Sequence, residues 1–211
     1  MIKPDLYKIG LSFAINFRLF WPNYKCVRNV QSYISHYNTH ISIMNKAIFL
    51  DRDGVLNHEI YDYICRVEDF EILEYQIPVL KQLFDEGYLL VVITNQGGIA
   101  LKRYTEEELA IMHQMLRNAF VAKGADIAAF YYCPHHPTVG GECKCRKPAS
   151  GMILDAIEMY DIDPAQSVMI GDKPRDVEAA NGAGVKGILI EPDEQISYEK
   201  VKEVLSRESL V

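Results

Sequence analysis

No stretch of this 211-residue sequence is apolar for long enough to cross a bilayer as a helix. The nearest approach, Ile9 to Trp21, is broken by Asn16 and Arg18 and leads to no small-residue cleavage site, so it does not read as a secretory leader either. Positive charge is also short: 22 Lys and Arg stand against 29 Asp and Glu, a net charge of −7, which does not suit a nucleic-acid surface. Five cysteines are too few and too unevenly spaced for the disulfide framework of a small secreted domain. Internal repeats and low-complexity tracts are absent as well. What these absences leave is a cytoplasmic chain of ordinary apolar content, long enough for one well-buried core.

The charge is spread unevenly. Before Met44, Lys3, Lys8, Arg18, Lys25 and Arg28 face Asp5 alone, a net of +4, which leaves −11 for the remainder. Residues 1–43 are rich in Asn, Tyr, Ser and His and hold no helical or strand period. They read as a poorly ordered N-terminal extension, with the functional domain spanning 44–211. An alternative is an arm that packs Phe17, Phe20 and Trp21 on that domain.

From Met44 onward strands and helices alternate. Strands are expected over 46–50, 88–93, 127–132, 167–170 and 187–190, and helices over 76–86, 105–120, 151–160, 174–181 and 197–206. Thr105 with Glu108 three residues on is a capping box, and Leu109, Met112, Leu116 and Phe120 make the apolar stripe behind it. His113 lies near that stripe and reads as a packed or surface histidine rather than a ligand. The strand 88–93, Tyr-Leu-Leu-Val-Val-Ile, is apolar on both faces, as a buried parallel strand requires. The order implies an α/β fold, a Rossmann-like parallel sheet with helices on both faces.

The first strand ends in Asp51-Arg52-Asp53-Gly54. Alternate residues of an extended chain point the same way, so both aspartates can face what lies beyond the strand, and Gly54 lets the backbone turn. Two close carboxylates repel unless a cation or a shared proton intervenes. Taken alone, the pair fits equally a turn with two solvated aspartates. Thr94 and Asp172, however, also stand just after apolar strands, and ligands of such sheets bind beyond the carboxyl ends of the strands. A carboxylate there can act as nucleophile, a second can move protons, and Asp172 adds an oxygen ligand for a hard cation such as Mg²⁺. Thr94 and the amides of Asn95 and Gln96 are placed to hold phosphate oxygens.

Asp51-x-Asp53-Gly54, Thr94, Lys147 and Gly171-Asp172-x-x-x-Asp176 together resemble the four motifs of the haloacid dehalogenase-like phosphohydrolases, in the right order over 46–190. The resemblance implies that Asp51 forms an aspartyl-phosphate, that Asp53 protonates the leaving group and then activates water, and that Thr94 and Lys147 stabilise the transferring phosphoryl group. It further implies Mg²⁺ on Asp51, the Asp53 backbone carbonyl and Asp172, with Asp176 orienting Lys147 or the metal site.

The clustered Cys133-Pro-His135-His136 and Cys143-Lys-Cys145 offer four ligands in a short loop, enough for a closed tetrahedral Zn²⁺ site of Cys133, His135, Cys143 and Cys145. His136 is the other candidate histidine, and free thiols in a surface loop are the reading without metal. Four protein ligands make such a zinc structural, and fixing Cys145 fixes Arg146 and Lys147 beside it. This zinc loop, with Thr94-Asn95-Gln96-Gly97-Gly98-Ile99-Ala100 and Lys173, is similar to a subgroup shared by D-glycero-D-manno-heptose-1,7-bisphosphate 7-phosphatases and histidinol-phosphate phosphatases. Gly97 stands where the heptose enzymes carry serine.

The subgroup implies removal of the 7-phosphate from a small-molecule sugar bisphosphate in heptose nucleotide precursor synthesis for surface glycans. Histidinol phosphate is the alternative substrate, and a non-catalytic zinc-loop binding module the reading of another class. The intervals from Asp53 to Thr94 and from Thr94 to Lys147 leave no room for a cap domain. Selectivity should then rest on Tyr61, Asp62, Tyr63, Asn95, Gln96, Gly97, Arg146 and Lys173 in an open site. Arg146 suits bidentate capture of a distal phosphate. No nucleic-acid or membrane partner is expected, and a monomer is.

Overall fold

The structure is a computed structural model that describes residues 44–207. The expected N-terminal extension, 1–43, lies outside the described residues. Five strands form one sheet: β1 (Lys46–Leu50), β2 (Tyr88–Asn95), β3 (Ile127–Cys133), β4 (Val168–Gly171) and β5 (Lys186–Leu189). Their spatial order is β3-β2-β1-β4-β5, and every pairing is parallel. β1 therefore lies in the middle, with Ile48 opposite Leu90 on one side and Val168 on the other.

Strand alternation divides the core into two layers. Ile48, Leu50, Leu90, Val92 and Ile170 face α1 (Ile77–Asp85), α2 (Glu106–Ala122) and α5 (Tyr198–Ser206). Ala47, Phe49, Val91, Ile93 and Met169 face α3 (Gly151–Tyr160) and α4 (Pro174–Gly182). Helices thus cover both faces. The Thr105–Glu108 capping box starts α2, whose Leu109, Met112, Leu116 and Phe120 are fully buried. Burying one such leucine contributes about 1.5–3 kcal/mol before the entropic cost of ordering it.

Two strands run further than periodicity indicated. β2 continues through Thr94 and Asn95 because β3 pairs with it as far as Asn95 opposite Cys133. Cys133 is consequently the last strand residue rather than a loop residue. Between β1 and β2 the chain adds only two short 3₁₀ turns, Val67–Asp69 and Glu74–Gln76, ahead of α1, and no further sheet is present among the described residues.

Candidate active site

β1, β2 and β4 deliver polar residues to the same edge of the sheet, where each strand runs out of apolar sequence. Asp51 follows β1 directly, its N–H bonded to the Ile170 carbonyl at 2.9 Å, so β4 fixes its backbone. Gly54 then turns the chain with φ +79°, and a Cβ there would lie 2.6 Å from Asp172 Oδ2. Only glycine lets the β1 turn close over the β4 aspartate.

Lys147 is the buried hub of the site. Its ammonium lies 2.9 Å from Asp51 Oδ1 and 2.7 Å from Asp176 Oδ1, and it donates to the Ile93 carbonyl at 2.7 Å. Two bonds of 3.0 Å between the Asn95 side chain and the Lys147 backbone hold the lysine to the end of β2. Burial pushes the Asp51 carboxyl up to about 7; Lys147 pulls it down while Asp176 and Asp53 add to the rise. Asp176 Oδ2 also accepts from the Lys173 N–H at 3.0 Å, so this aspartate starts α4 as well as holding Lys147.

Asp53 has different company. Its Oδ1 accepts from Arg52 and from Asn57 Nδ2, and its Oδ2 from Gln96 Nε2. Burial works to raise this carboxyl, but Arg52 and the bonds from Arg52, Asn57 and Gln96 outweigh it and hold Asp53 below the usual carboxylate range. Thr94, fully buried, accepts from the same Gln96 amide at 2.8 Å. The Gln96 N–H is bonded to the Cys133 carbonyl at 2.8 Å, so that backbone amide, expected on phosphate, belongs to the sheet instead. The Gln96 side chain is likewise committed inward.

Two constellations of metal-ligand type are assembled. Oxygens of Asp51, Asp172 and Asp176 lie within 4.8 Å of one another, and both Asp172 carboxylate oxygens are buried without a hydrogen bond, although the Lys173 ammonium stands 2.7 Å from Oδ2. Burial raises the Asp172 carboxyl even so, against the pull of Lys173. A buried carboxylate with unused lone pairs is a fitting hard-cation ligand. The ligand atoms of Cys133, His135, Cys143 and Cys145 also converge within 4.8 Å, with His135 Nδ1 3.2 Å from Cys145 Sγ. His136 is not among them; its Nδ1 bonds Thr138. The donor set of three thiols and one imidazole matches a closed zinc site.

In front of these groups lies a cavity of about 360 Å³. Asp53, Tyr61, Asp62, Tyr63, Asn95, Gln96, Arg146 and Lys173 line it, and Arg52, Tyr104 and Arg175 join them. Gly97 sits beneath Arg146 instead, where a Cβ would come 3.1 Å from Arg146 Nη1. Asp193 ties down the cavity's outer loop: its Oδ1 accepts from the Glu59 N–H at 3.0 Å, and its own N–H donates to the Gly54 carbonyl at 2.8 Å. Glu59 then approaches Lys173 at 3.3 Å, and Arg103 pairs Asp62 at 3.6 Å.

Arg52, Asn57, Tyr104, Arg175 and Asp193 were not legible as site residues. Arg52 carried one signal, its place between the two aspartates. Tyr104 and Asp193 carried none, since their partners are distant or buried.

A HAD-hydrolase-like family model matches residues 144–197. The D-glycero-beta-D-manno-heptose-1,7-bisphosphate 7-phosphatase of Haemophilus influenzae is 42% identical over 161 residues, covering 74% of this chain and 87% of that protein. The D-glycero-alpha-D-manno-heptose-1,7-bisphosphate 7-phosphatase of Photorhabdus laumondii is 41% identical over 145 residues, 66% of this chain and 79% of that one. Among solved structures, the D,D-heptose 1,7-bisphosphate phosphatase of B. bronchiseptica, complexed with magnesium and phosphate, superposes with a TM-score of 0.65 at 31% identity, covering 75% and 86% of the two chains. A putative HAD-like phosphatase of Mesorhizobium loti shares the fold, with a TM-score of 0.68 at 24% identity over 77% and 85% of the chains.

Proposed function

Since the chain belongs to the haloacid dehalogenase-like phosphatases, with heptose-bisphosphate phosphatases among its relatives, we propose that it removes the 7-phosphate of D-glycero-D-manno-heptose 1,7-bisphosphate. The reaction would run through an aspartyl-phosphate on Asp51 and serve heptose nucleotide precursor synthesis for surface glycans. The observation that carries this reading is the placing of Lys147, from the loop after β3, 2.9 Å from Asp51 at the end of β1. A buried carboxylate beside a fixed ammonium can meet a phosphate dianion that would otherwise be repelled.

In the first half-reaction the Asp51 carboxylate bonds to phosphorus as the bond to the sugar oxygen breaks. The departing oxygen takes a proton from Asp53, which, ionised in the free site, would take that proton from water as the phosphate dianion binds beside it. Water then attacks the phosphorus, giving its proton to Asp53, and Asp51 leaves as carboxylate. Thr94 would donate to a phosphoryl oxygen, and Lys147, its three N–H groups taken by Asp51, Asp176 and the Ile93 carbonyl, would offset the charge that gathers at Asp51 and the phosphoryl group. Asp51, Asp172 and the Asp53 carbonyl would hold Mg²⁺, which neutralises phosphate charge when bound. Cys133, His135, Cys143 and Cys145 would hold a structural Zn²⁺ that anchors Arg146 and Lys147. Arg146, Lys173 and the loop of Tyr61, Asp62 and Tyr63 would receive the rest of the sugar bisphosphate.

The reading carries with it a cytoplasmic enzyme acting as a monomer. No described helix is long and apolar enough to cross a membrane. Phosphate release from heptose 1,7-bisphosphate should far exceed that from histidinol phosphate, and Asp51→Asn should abolish it without altering the circular dichroism spectrum. Preference for histidinol phosphate would reassign the substrate, and turnover by Asp51→Asn would remove the nucleophile.

A further inference from the structure

The four hydrogen bonds on the Asp53 carboxylate are shared unequally between its oxygens. Oδ1 accepts from Arg52 Nε at 3.1 Å, Arg52 Nη2 at 2.7 Å and Asn57 Nδ2 at 3.0 Å. Oδ2 accepts from Gln96 Nε2 alone, at 3.0 Å. A carboxylate oxygen has two in-plane lone pairs, so Oδ1 has no room for a proton and Oδ2 keeps one open position. The oxygen that exchanges a proton with substrate is therefore Oδ2, and its one protein partner is Gln96.

The two ends of a glutamine amide have nearly the same shape, and their partners decide which end points where. Tyr104 Oη lies 2.5 Å from Gln96 Oε1, an atom that can only accept, so the tyrosine donates. The amide nitrogen is left with Asp53 Oδ2 and with Thr94 Oγ1 at 2.8 Å. A flipped amide would turn its oxygen toward Oδ2, where it would accept a proton carried on that atom, and its NH₂ toward Tyr104. The proton would then point into the protein rather than at the leaving group. The buried Tyr104 hydroxyl is what opposes the flip. Its ring reaches this place because residue 98 is glycine: a Cβ on Gly98 would lie 2.2 Å from Tyr104 Cε1.

We propose that Gln96, locked by the Tyr104 hydroxyl, is a positioning residue that aims the Asp53 Oδ2 proton at the leaving oxygen. This rests on Asp53 being the acid–base residue of the proposed phosphatase.

The test compares kcat/KM, which reports the steps through loss of the leaving group, on two substrates. A sugar alkoxide needs a proton to depart, whereas p-nitrophenolate does not. Tyr104→Phe should lose about tenfold or more on heptose 1,7-bisphosphate and less than about threefold on p-nitrophenyl phosphate, general acids being worth about 10²–10⁴ in rate. Gln96→Met should show the same split, and adding Tyr104→Phe to it should cost little more, since a lock without its bolt has no further effect. Equal losses on the two substrates, or losses of the two variants that multiply, would overturn the proposal. If Tyr104→Phe fails to fold, Gln96→Met with the hydroxyl intact decides the matter by the same substrate comparison. A wild-type protein inactive on both substrates would remove the phosphatase reading and this inference with it.

Discussion

Arg146 and Lys147 are neighbours in the chain but face different tasks. The lysine ammonium is sealed inside the protein between Asp51 and Asp176, while the Arg146 guanidinium reaches the cavity wall, braced by the His135 carbonyl at 3.0 Å. An ammonium enclosed by Asp51, Asp176 and the Ile93 carbonyl acts on the charge at Asp51 and not on a distant part of a substrate. A guanidinium at the rim can serve a phosphate elsewhere on the same substrate. Arg146→Ala should accordingly raise KM for heptose 1,7-bisphosphate about 10- to 100-fold, the worth of a charge-assisted bond. The KM for p-nitrophenyl phosphate, which has no distal phosphate, should change far less. Equal effects on both substrates would remove Arg146 from recognition.

At the scale of elements, the loop from β3 to α3 brings Arg146 and Lys147 to the site from outside the strand ends. Its anchor begins on the strand itself, with Cys133, and closes at Cys145, two residues before Lys147. Gly151 packs this return tightly, since a Cβ there would lie 2.3 Å from the Lys144 carbonyl oxygen. A metal binding the four ligands would hold the loop by bonds far stronger than the few hydrogen bonds it otherwise makes. Purified protein should contain one zinc per chain by elemental analysis. Cys145→Ser should reduce both zinc content and kcat, the latter about tenfold or more as Lys147 loses its placement. The parallel sheet, whose other core layer packs against α1, α2 and α5 away from this loop, should keep its circular dichroism. A zinc-free protein with full activity would overturn the assignment.

Across the whole molecule, an acidic chain gathers cations at one place. Arg52, Arg146, Lys147, Lys173 and Arg175 all stand at or beside the cavity although the sequence carries a net charge of −7. Asp51, Asp53, Glu59, Asp62, Asp172 and Asp176 stand among them, so the site offers an anionic substrate paired cations rather than a net positive field. Global stability carries a different electrostatic mark. His113 is buried on α2, stacked 4.5 Å from Phe130, with Nε2 unpartnered. Burial, with Arg52 adding to it, lowers His113 to about 3. The unfolded chain therefore takes up a proton as pH falls through the ordinary histidine range, near 6.5, and the folded chain refuses it until about 3. Stability attributable to this group falls with pH across that window, by up to about 1.4 kcal/mol per pH unit. Denaturant titrations at pH 6.5 and pH 4.5 should show a smaller loss for His113→Phe than for the wild type. Parallel losses would show that His113 is not the group responsible.

Much of this was legible without coordinates. Asp51, Asp53, Thr94 and Asp172 follow apolar strands directly, and a strand end is a local event written in consecutive residues. The capping box of α2 and the apolar stripe behind it were equally local, as were the spacings of Cys133, His135, Cys143 and Cys145. Tertiary structure alone decided between His135 and His136, because both lie on the same turn and only the folded loop shows which ring meets the thiols. It also turned Gln96 inward. The glutamine stands among residues that point to phosphate, yet its amide nitrogen meets Asp53, forty-three positions back, and its oxygen meets Tyr104, which returns to it around the turn that follows β2. Arg52 bends back to Asp53 over Phe70 rather than outward, an arrangement that depends on a ring eighteen positions away. The sequence by itself determined which groups reach the sheet edge, since alternation and strand length are properties of neighbours. How those groups pair, and which are left free for a ligand, depends on side chains brought together from distant segments, and only packing settles that.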